Sequence, residues 1–405
     1  MIQAPAQAAW HCQVLVVGAG PAGGELARNL AHSGLDVLLV DRLPDLGLSA
    51  FSSAALPLEA VAEFCLPSQV VASRWRGWQL VGPGDQPREW WSAEPLGAVL
   101  DFGALRQWLA SEAQGWGARV ELGWRAMACR QDRNGAITEL VDGRGARRQV
   151  RSGWVVDATG ERRCLIGEPR LPRDPLVSGL GVEWLLEVEP QLWATWADRL
   201  SFFLGSRWVG QGYGWVFPMA HGRLKLGVCR LQGGEADSLL PLGRELGQLL
   251  RFCGLEHAQV LDRHGGRIRS TLGRRDVHCR GRILALGDAV STANLLGGEG
   301  IRHALRSARV LAPLLLQACR RGDAFHLHTY PALLRRSLGW RWSLSGRLAR
   351  RTWLGLAPGG RGDGRLERLL RGLETARAED LSALLFHYRF ERYGLKALPY
   401  LLGWR

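Results

Sequence analysis

The 405-residue chain is 46% hydrophobic and 22% charged, the balance of a folded globular protein with room for two or three domains. Its eight cysteines are scattered, none closer than 24 positions to another, which excludes CxxC-type zinc, iron–sulfur and dithiol centres; no metal is expected, and reduced, mostly buried thiols are. Net charge is +14, carried by arginine except for Lys225 and Lys396, and Pro331 to Arg405 holds 15 Arg/Lys against 6 Asp/Glu, so the tail carries most of the excess.

In chain order, the apolar run Val14–Val17 predicts a buried strand. Gly18-Ala19-Gly20-Pro21-Ala22-Gly23 follows, then the helical pattern Glu25–His32, ended by Ser33-Gly34. Val37–Val40 predicts a second strand, closed by Asp41-Arg42. Strand, glycine turn, helix, strand and acid in this order form a dinucleotide-binding βαβ unit. Gly18 permits the tight turn, Gly20 lets backbone approach a pyrophosphate, and Gly23 lets helix and sheet come close. The diphosphate is expected on the helix N-terminus, where unpaired N–H groups and the positive dipole end favour an anion. Asp41 is placed to accept from ribose hydroxyls.

Leu43–Pro57 reads as a turn-rich loop, and Leu58–Phe64 as a short helix. Val70–Leu100, with Trp75, Trp78, Trp90 and Trp91, reads as a strand-rich excursion. Asp101 is the expected N-cap of a helix over Asp101–Gly115. Arg119–Leu122 is a short strand; Ala126–Gln131 and Ala136–Val141 flank Asn134-Gly135 as a hairpin; Gln149–Asp157 is another strand. The proline-rich Pro169–Pro175 marks a domain crossing. Strands are expected at Leu180–Val188, Leu200–Leu204, Gly214–Phe217, Leu224–Leu231, Gly266–Ser270 and Arg282–Leu286. Helices are expected from about Ser238 to Cys253 and from Gly300 to Ala318, and everything beyond Tyr330 reads as helical with a break at Pro358–Gly364.

Two distal stretches decide which dinucleotide is bound. One is the strand end Asp157-Ala158-Thr159-Gly160. The other is Gly287-Asp288-Ala289, followed by Gly297-Gly298-Glu299-Gly300-Ile301. With the first glycine turn, they resemble flavoproteins of the para-hydroxybenzoate hydroxylase type. The resemblance implies FAD, with Asp288 accepting from a ribityl hydroxyl and Gly297, Gly298, Gly300 and Ile301 presenting backbone N–H groups to the flavin edge that becomes negative on reduction. A permanently bound NAD would leave both distal segments unexplained. Asp41 then contacts the adenosine ribose of FAD.

Tyr213-Gly214-Trp215-Val216-Phe217-Pro218, Leu224-Lys225-Leu226-Gly227-Val228 and the Gly-Glu-Gly-Ile form at Gly298–Ile301 are similar to the geranylgeranyl reductase family, over about residues 11–320. The resemblance implies an FAD-dependent reductase of C=C bonds in a lipophilic, prenyl-derived substrate, with Tyr213, Trp215 and Phe217 lining the pocket together with Phe51. Packing in a β-domain core is an equal reading of that strand. Two departures stand out. The family's helix opens Asp-Arg, its Arg contacting FAD, where this chain has Phe102; Arg106, one turn on, can take its place. The family often has a cysteine in the loop after the second strand, where this chain has Phe51-Ser52-Ser53.

The fold expected is therefore α/β: a Rossmann-like FAD-binding domain (11–68, 101–168 and 279–325), an inserted antiparallel β-sheet substrate domain (69–100 and 169–278) and a basic helical C-terminal region (326–405). Ser52, Ser53 and Tyr213 are candidate proton donors. Electrons are expected from NAD(P)H docking transiently or from a ferredoxin-type donor. An aromatic monooxygenase and a non-catalytic pigment-binding factor stay open as alternatives; a halogenase is disfavoured, because no lysine precedes Lys225. In the tail, Arg335, Arg336, Arg341, Arg347, Arg350 and Arg351 interleave with Leu334, Leu338, Trp340, Trp342, Leu348 and Trp353. That pattern suits peripheral contact with an anionic membrane or, equally, a helical face packed on the FAD domain. Nucleic acid is not expected. The N-terminus lacks a basic segment followed by a long apolar run, and no stretch of about 18 uninterrupted apolar residues occurs, so a cytoplasmic location is expected.

Overall fold

A computed structural model describes residues 9–48, 52–168, 176–220, 222–232, 240–273, 275–322, 324–356 and 362–391. The chain begins with β1 (Trp10–Val17), α1 (Pro21–His32) and β2 (Val37–Asp41), followed by β3 (Ala55–Pro57), α2 (Leu58–Glu63), β4 (Val71–Trp75), β5 (Gly77–Val81), β6 (Pro87–Trp91) and β7 (Gly97–Leu100). Next come α3 (Phe102–Gly115), β8 (Arg119–Leu122), β9 (Trp124–Asp132), β10 (Gly135–Asp142) and β11 (Arg147–Asp157). β12 (Leu176–Glu187), α4 (Pro190–Trp196), β13 (Arg199–Leu204), β14 (Gly212–Pro218), β15 (Arg223–Leu231), α5 (Leu242–Phe252) and β16 (Gln259–Thr271) follow. The remainder is β17 (Cys279–Arg280), β18 (Ile283–Ala285), α6 (Ile301–Arg321), α7 (Tyr330–Leu354), α8 (Gly362–Leu373) and α9 (Ala378–Leu385).

The first sheet has eight strands in the order β17-β18-β11-β1-β2-β8, with the β9–β10 hairpin attached to β11. Its central strands are parallel: β1 pairs with both β2 and β11, and β11 with β18. Val14, Leu15 and Val16 are fully buried, as a strand covered on both faces requires, and Leu26 and Leu30 of α1 pack with Leu311 and Leu315 of α6 in the same core. This is a Rossmann-like domain. All three glycine-marked strand ends (after β1, β11 and β18) therefore open at one edge.

The second sheet has seven strands in the order β16-β12-β15-β14-β13-β5-β6. It is antiparallel apart from β13 and β5, which run parallel. Its two faces divide cleanly by strand alternation. Val216, Leu226 and Val228 pack under α5 with Leu246 and Leu249, whereas Tyr213, Trp215 and Phe217 face the opposite side with Trp353 of α7 and Leu366 and Leu370 of α8. A small third sheet, β3-β7-β4, closes the hairpin region.

Several expectations need correction. Helix α4 follows β12 where none was expected, and β16 starts at Gln259 rather than Gly266. Pro169–Pro175 lies outside the described residues. All eight cysteines are free, but only Cys12 and Cys253 are buried; Cys65, Cys164 and Cys279 are exposed. In the tail, Leu334, Leu338, Trp342, Leu348 and Trp353 face the protein and are buried, so they cannot form a membrane face. Trp340 is the exposed aromatic of that set, 65% accessible. No described helix is long and apolar enough to cross a membrane.

Candidate functional site

The turn after β1 is as tight as its glycines allow. Gly18 has φ +108°, and a Cβ there would lie 2.4 Å from the Ala158 carbonyl oxygen. A Cβ on Gly23 would lie 1.9 Å from the Gly18 oxygen, so only glycine lets α1 sit this close to the turn. Gly20 faces open space, with no atom within 4 Å of such a Cβ, and caps α1 without a side chain, Pro21 following at the first helical position. Asp41 ties the turn to β2: Ala19 N–H donates to Oδ2 at 2.7 Å, and Leu43 N–H to Oδ1 at 2.9 Å. Arg42 is exposed. Arg106 is buried on α3, its Nη2 donating to the Leu48 carbonyl at 2.6 Å, while its Nε has no partner among the described residues. Burial lowers its pKa, against the pull of Asp41 and Asp45.

The turn after β18 is brought alongside the first one by Gly287, whose Cβ would lie 2.7 Å from that of Ala22. Asp288 follows, accepting from the Thr292 hydroxyl at 3.1 Å, its pKa raised by burial and opposed by the Arg163 charge. Gly300 opens α6 with no side-chain cap, and a Cβ on it would lie 3.8 Å from Asp288 Oδ2. The start of α6 thus lies beside that carboxylate. Gly298, at φ +65°, lies under Tyr213, whose hydroxyl would be 3.1 Å from an added Cβ.

Asp157 is differently employed. Its Oδ1 accepts from the Thr159 N–H and hydroxyl, and its Oδ2 from the N–H groups of Leu165 and Ile166. These bonds occupy the carboxylate's acceptor sites, so Asp157 builds the turn beside Gly18 instead of reaching a ligand. Gly160 supplies the left-handed residue of that turn, at φ +68°.

Two cavities meet at this edge. One, of about 250 Å³, runs from Pro21 past Asp288 and Gly300 to Gly298, Tyr213 and Trp215. The other, of about 210 Å³, is walled by Trp78, Phe202, Leu348, Leu366, Leu370 and Phe386. Ser52, Ser53, Tyr213, Phe217, Gly298 and Trp353 line both. Phe51 lies outside the described residues. Lys225 anchors the serine segment, donating from Nζ to the Ser52 carbonyl at 2.6 Å; burial lowers its pKa, while Glu183 and Asp101 support its charge. Tyr213 and its cross-strand neighbour Cys229 are hydrogen-bonded, and burial raises both, the thiol to about 12, so both keep their protons at neutral pH.

Three features escaped the sequence. Arg163, 2% exposed, pairs with Asp276 at 2.9 Å and donates to Ser291 Oγ and the Ala289 carbonyl, holding the Asp288 turn from below. Glu299 lies in a buried cluster with Arg302 (2.7 Å), the Tyr388 hydroxyl (2.6 Å) and His303. Burial opposes the Glu299 charge, but Arg302 and His303 outweigh it and hold the carboxyl at about 2; burial pushes His303 down to about 4. Arg302 also donates to the Phe386 carbonyl, joining the start of α6 to the end of α9. Trp353 Nε1 donates to the Leu295 and Leu296 carbonyls at 3.2 Å, so α7 to α9 complete the apolar cavity instead of forming a separate region.

These residues fit an FAD. One cavity runs from the α1 turn to the α6 start, Gly20 faces open space, and the unpartnered Arg106 Nε is buried near Asp41. The profile of the NAD(P)-binding Rossmann-like domain matches residues 16–70. Digeranylgeranylglycerophospholipid reductase of Haloferax volcanii is 27% identical over 313 residues, 74% of each chain. Menaquinone reductase of Mycobacterium tuberculosis is 28% identical over 368 residues, 83% of each. The crystal structure of a geranylgeranyl bacteriochlorophyll reductase-like protein from Thermoplasma acidophilum superposes with a TM-score of 0.78 at 21% identity, covering 94% of this chain and 98% of that one. Fold and site together define an FAD-dependent oxidoreductase. Within that class, the chain is similar to reductases of the geranylgeranyl type.

Proposed function

We propose that the protein reduces carbon–carbon double bonds of a lipophilic, prenyl-derived substrate lying in the apolar cavity. The observation that carries this reading is the junction of the two cavities at Tyr213, Phe217 and Gly298, where an apolar chain can reach the cofactor. Relatives named as reductases of digeranylgeranylglycerophospholipid and of menaquinone support a prenyl substrate. Bound FAD, once reduced, supplies hydride through N5. The protein's own residues orient, exclude water and hold a proton. Gly297, Gly298, Gly300 and Ile301 favour negative charge at the start of α6, and Asp41, Arg106 and Asp288 hold the cofactor's ribose, phosphate and ribityl portions. The leucine-rich wall from α7, α8 and α9 keeps water out. Tyr213 carries the proton for the second carbon, its hydroxyl kept protonated by burial, with Ser52 and Ser53 as the alternative donors.

The external reductant is NAD(P)H docking transiently or a ferredoxin-type donor. Exposed Arg335, Arg336, Arg347 and Arg350 with Trp340 on the outer side of α7 support peripheral contact with an anionic cytoplasmic membrane face.

The test is anaerobic reduction of the bound flavin with dithionite, then mixing with geranylgeraniol or menaquinone in detergent. Reoxidation without oxygen is the expected result. Reoxidation only with oxygen and an aromatic compound would make the protein a monooxygenase, and none above the buffer rate would make it a binding factor.

A further inference from the structure

The cavity-facing side of the second sheet carries a row that crosses four strands. Trp215 on β14 lies opposite Gly227 on β15, Gly227 opposite Glu183 on β12, and Glu183 opposite His264 on β16. Gly227 is a gap that the indole fills: a Cβ there would lie 2.2 Å from Trp215 Cζ2. Across that gap Trp215 donates Nε1–H to Glu183 Oε2 at 2.9 Å. The other oxygen, Oε1, meets His264 Nε2 at 3.2 Å, and His264 Nδ1 meets Asp262 Oδ2 at 2.9 Å.

Glu183 has no exposed surface, and a carboxylate that deep in a sheet costs free energy that an apolar residue would not. Its neighbours show what it does. Burial works against an imidazolium at His264, but the hydrogen bonds to Glu183 and Asp262 outweigh it and raise the His264 pKa, and Lys225 adds a second positive group on the adjacent strand. One carboxylate oxygen thus accepts from the indole N–H while the other meets the imidazole. The ring it holds is a wall of the cavity that also contains Asp288 and Gly298.

We propose that Glu183 is a positioning residue: through the Trp215 N–H, across Gly227, it sets the plane of the indole against the cofactor cavity. This rests on the flavin reading above and not on the choice of substrate.

The test compares E183L, E183Q, W215F and the double variant E183L/W215F as FAD-loaded protein. Visible circular dichroism of the bound flavin and the FAD dissociation constant are the readouts, with the rate of anaerobic reoxidation by geranylgeraniol as a third. E183L is expected to alter the flavin dichroism and weaken FAD binding about tenfold, the scale of one buried hydrogen bond lost. E183Q keeps an acceptor for the indole and stays near wild type. The double variant matches W215F alone, because Glu183 acts through that ring. Additive effects, or an E183L spectrum and affinity identical to wild type, overturn the assignment. If E183L does not fold, G227A displaces the indole without touching the carboxylate; it must reproduce the W215F spectrum, and a wild-type spectrum overturns the assignment equally. Failure of the substrate reading shows separately, as wild-type flavin that geranylgeraniol does not reoxidise.

Discussion

Gly287 and Ala22, from opposite ends of the FAD-binding domain's sequence, touch so closely that a side chain on Gly287 would begin 2.7 Å from the Ala22 methyl. The contact sets the Asp288 turn against the start of α1, and so joins the two turns proposed to hold the cofactor. Gly287 also has φ +62°, a region costly for other residues. G287A should lose about 1–3 kcal/mol of stability and bind FAD less tightly. Thermal melting and the flavin content of purified protein check this; wild-type flavin content would count against the contact's role.

Asp41 holds the glycine turn after β1 through the N–H groups of Ala19 and Leu43. D41A removes both hydrogen bonds together with the proposed ribose acceptor, so FAD affinity should fall about tenfold or more, with D41N intermediate. Titration of apoprotein with FAD, followed by flavin fluorescence, measures it.

Residues whose signal is local were legible in the sequence. Gly18 and Gly23 are required by atoms within one βα turn, Asp101 caps α3 by accepting from Ala104 N–H, and Asn134-Gly135 closes the β9–β10 hairpin. The cavity's second wall was not legible, because Trp78, Phe202 and Phe386 come from separate segments that only the tertiary fold brings together. The Arg163–Asp276 pair joins distant residues in the same way. In the tail the helical period was readable but its facing was not. Trp342 and Trp353 alternate with arginines as a membrane helix's would, yet here the apolar side meets the enzyme's own core. Asp157 shows the converse limit: its place at a strand end was readable, but not that its own loop satisfies it.

Acid should unsettle the junction between α6 and α9. His303 is held neutral, its pKa down at about 4 against 6.5 for a free histidine. Between those values the unfolded chain takes up a proton that the fold refuses, so stability is full above pH 6.5 and is lost as pH falls toward 4. H303Q should flatten this slope. Melting temperature against pH for both proteins checks it; parallel curves would remove His303 from the account.

Lys225 grips the Ser52 carbonyl from beneath the cavity junction. K225M should release that segment, slowing flavin reoxidation by substrate several-fold while leaving FAD affinity within about twofold of wild type, since no phosphate or ribose contact is lost. Equal losses in both would place Lys225 in general folding.

The central claim is that an apolar chain in the Phe202–Leu370–Phe386 cavity is hydrogenated at the cofactor edge. Its most direct test is single-turnover incubation of the reduced holoprotein with geranylgeraniol under argon, with mass spectrometry of the extracted lipid. A product heavier by two hydrogen atoms per bond reduced is expected, with a matching loss of reduced flavin. Unchanged geranylgeraniol with the flavin still reduced, or product only after oxygen is admitted, would contradict it.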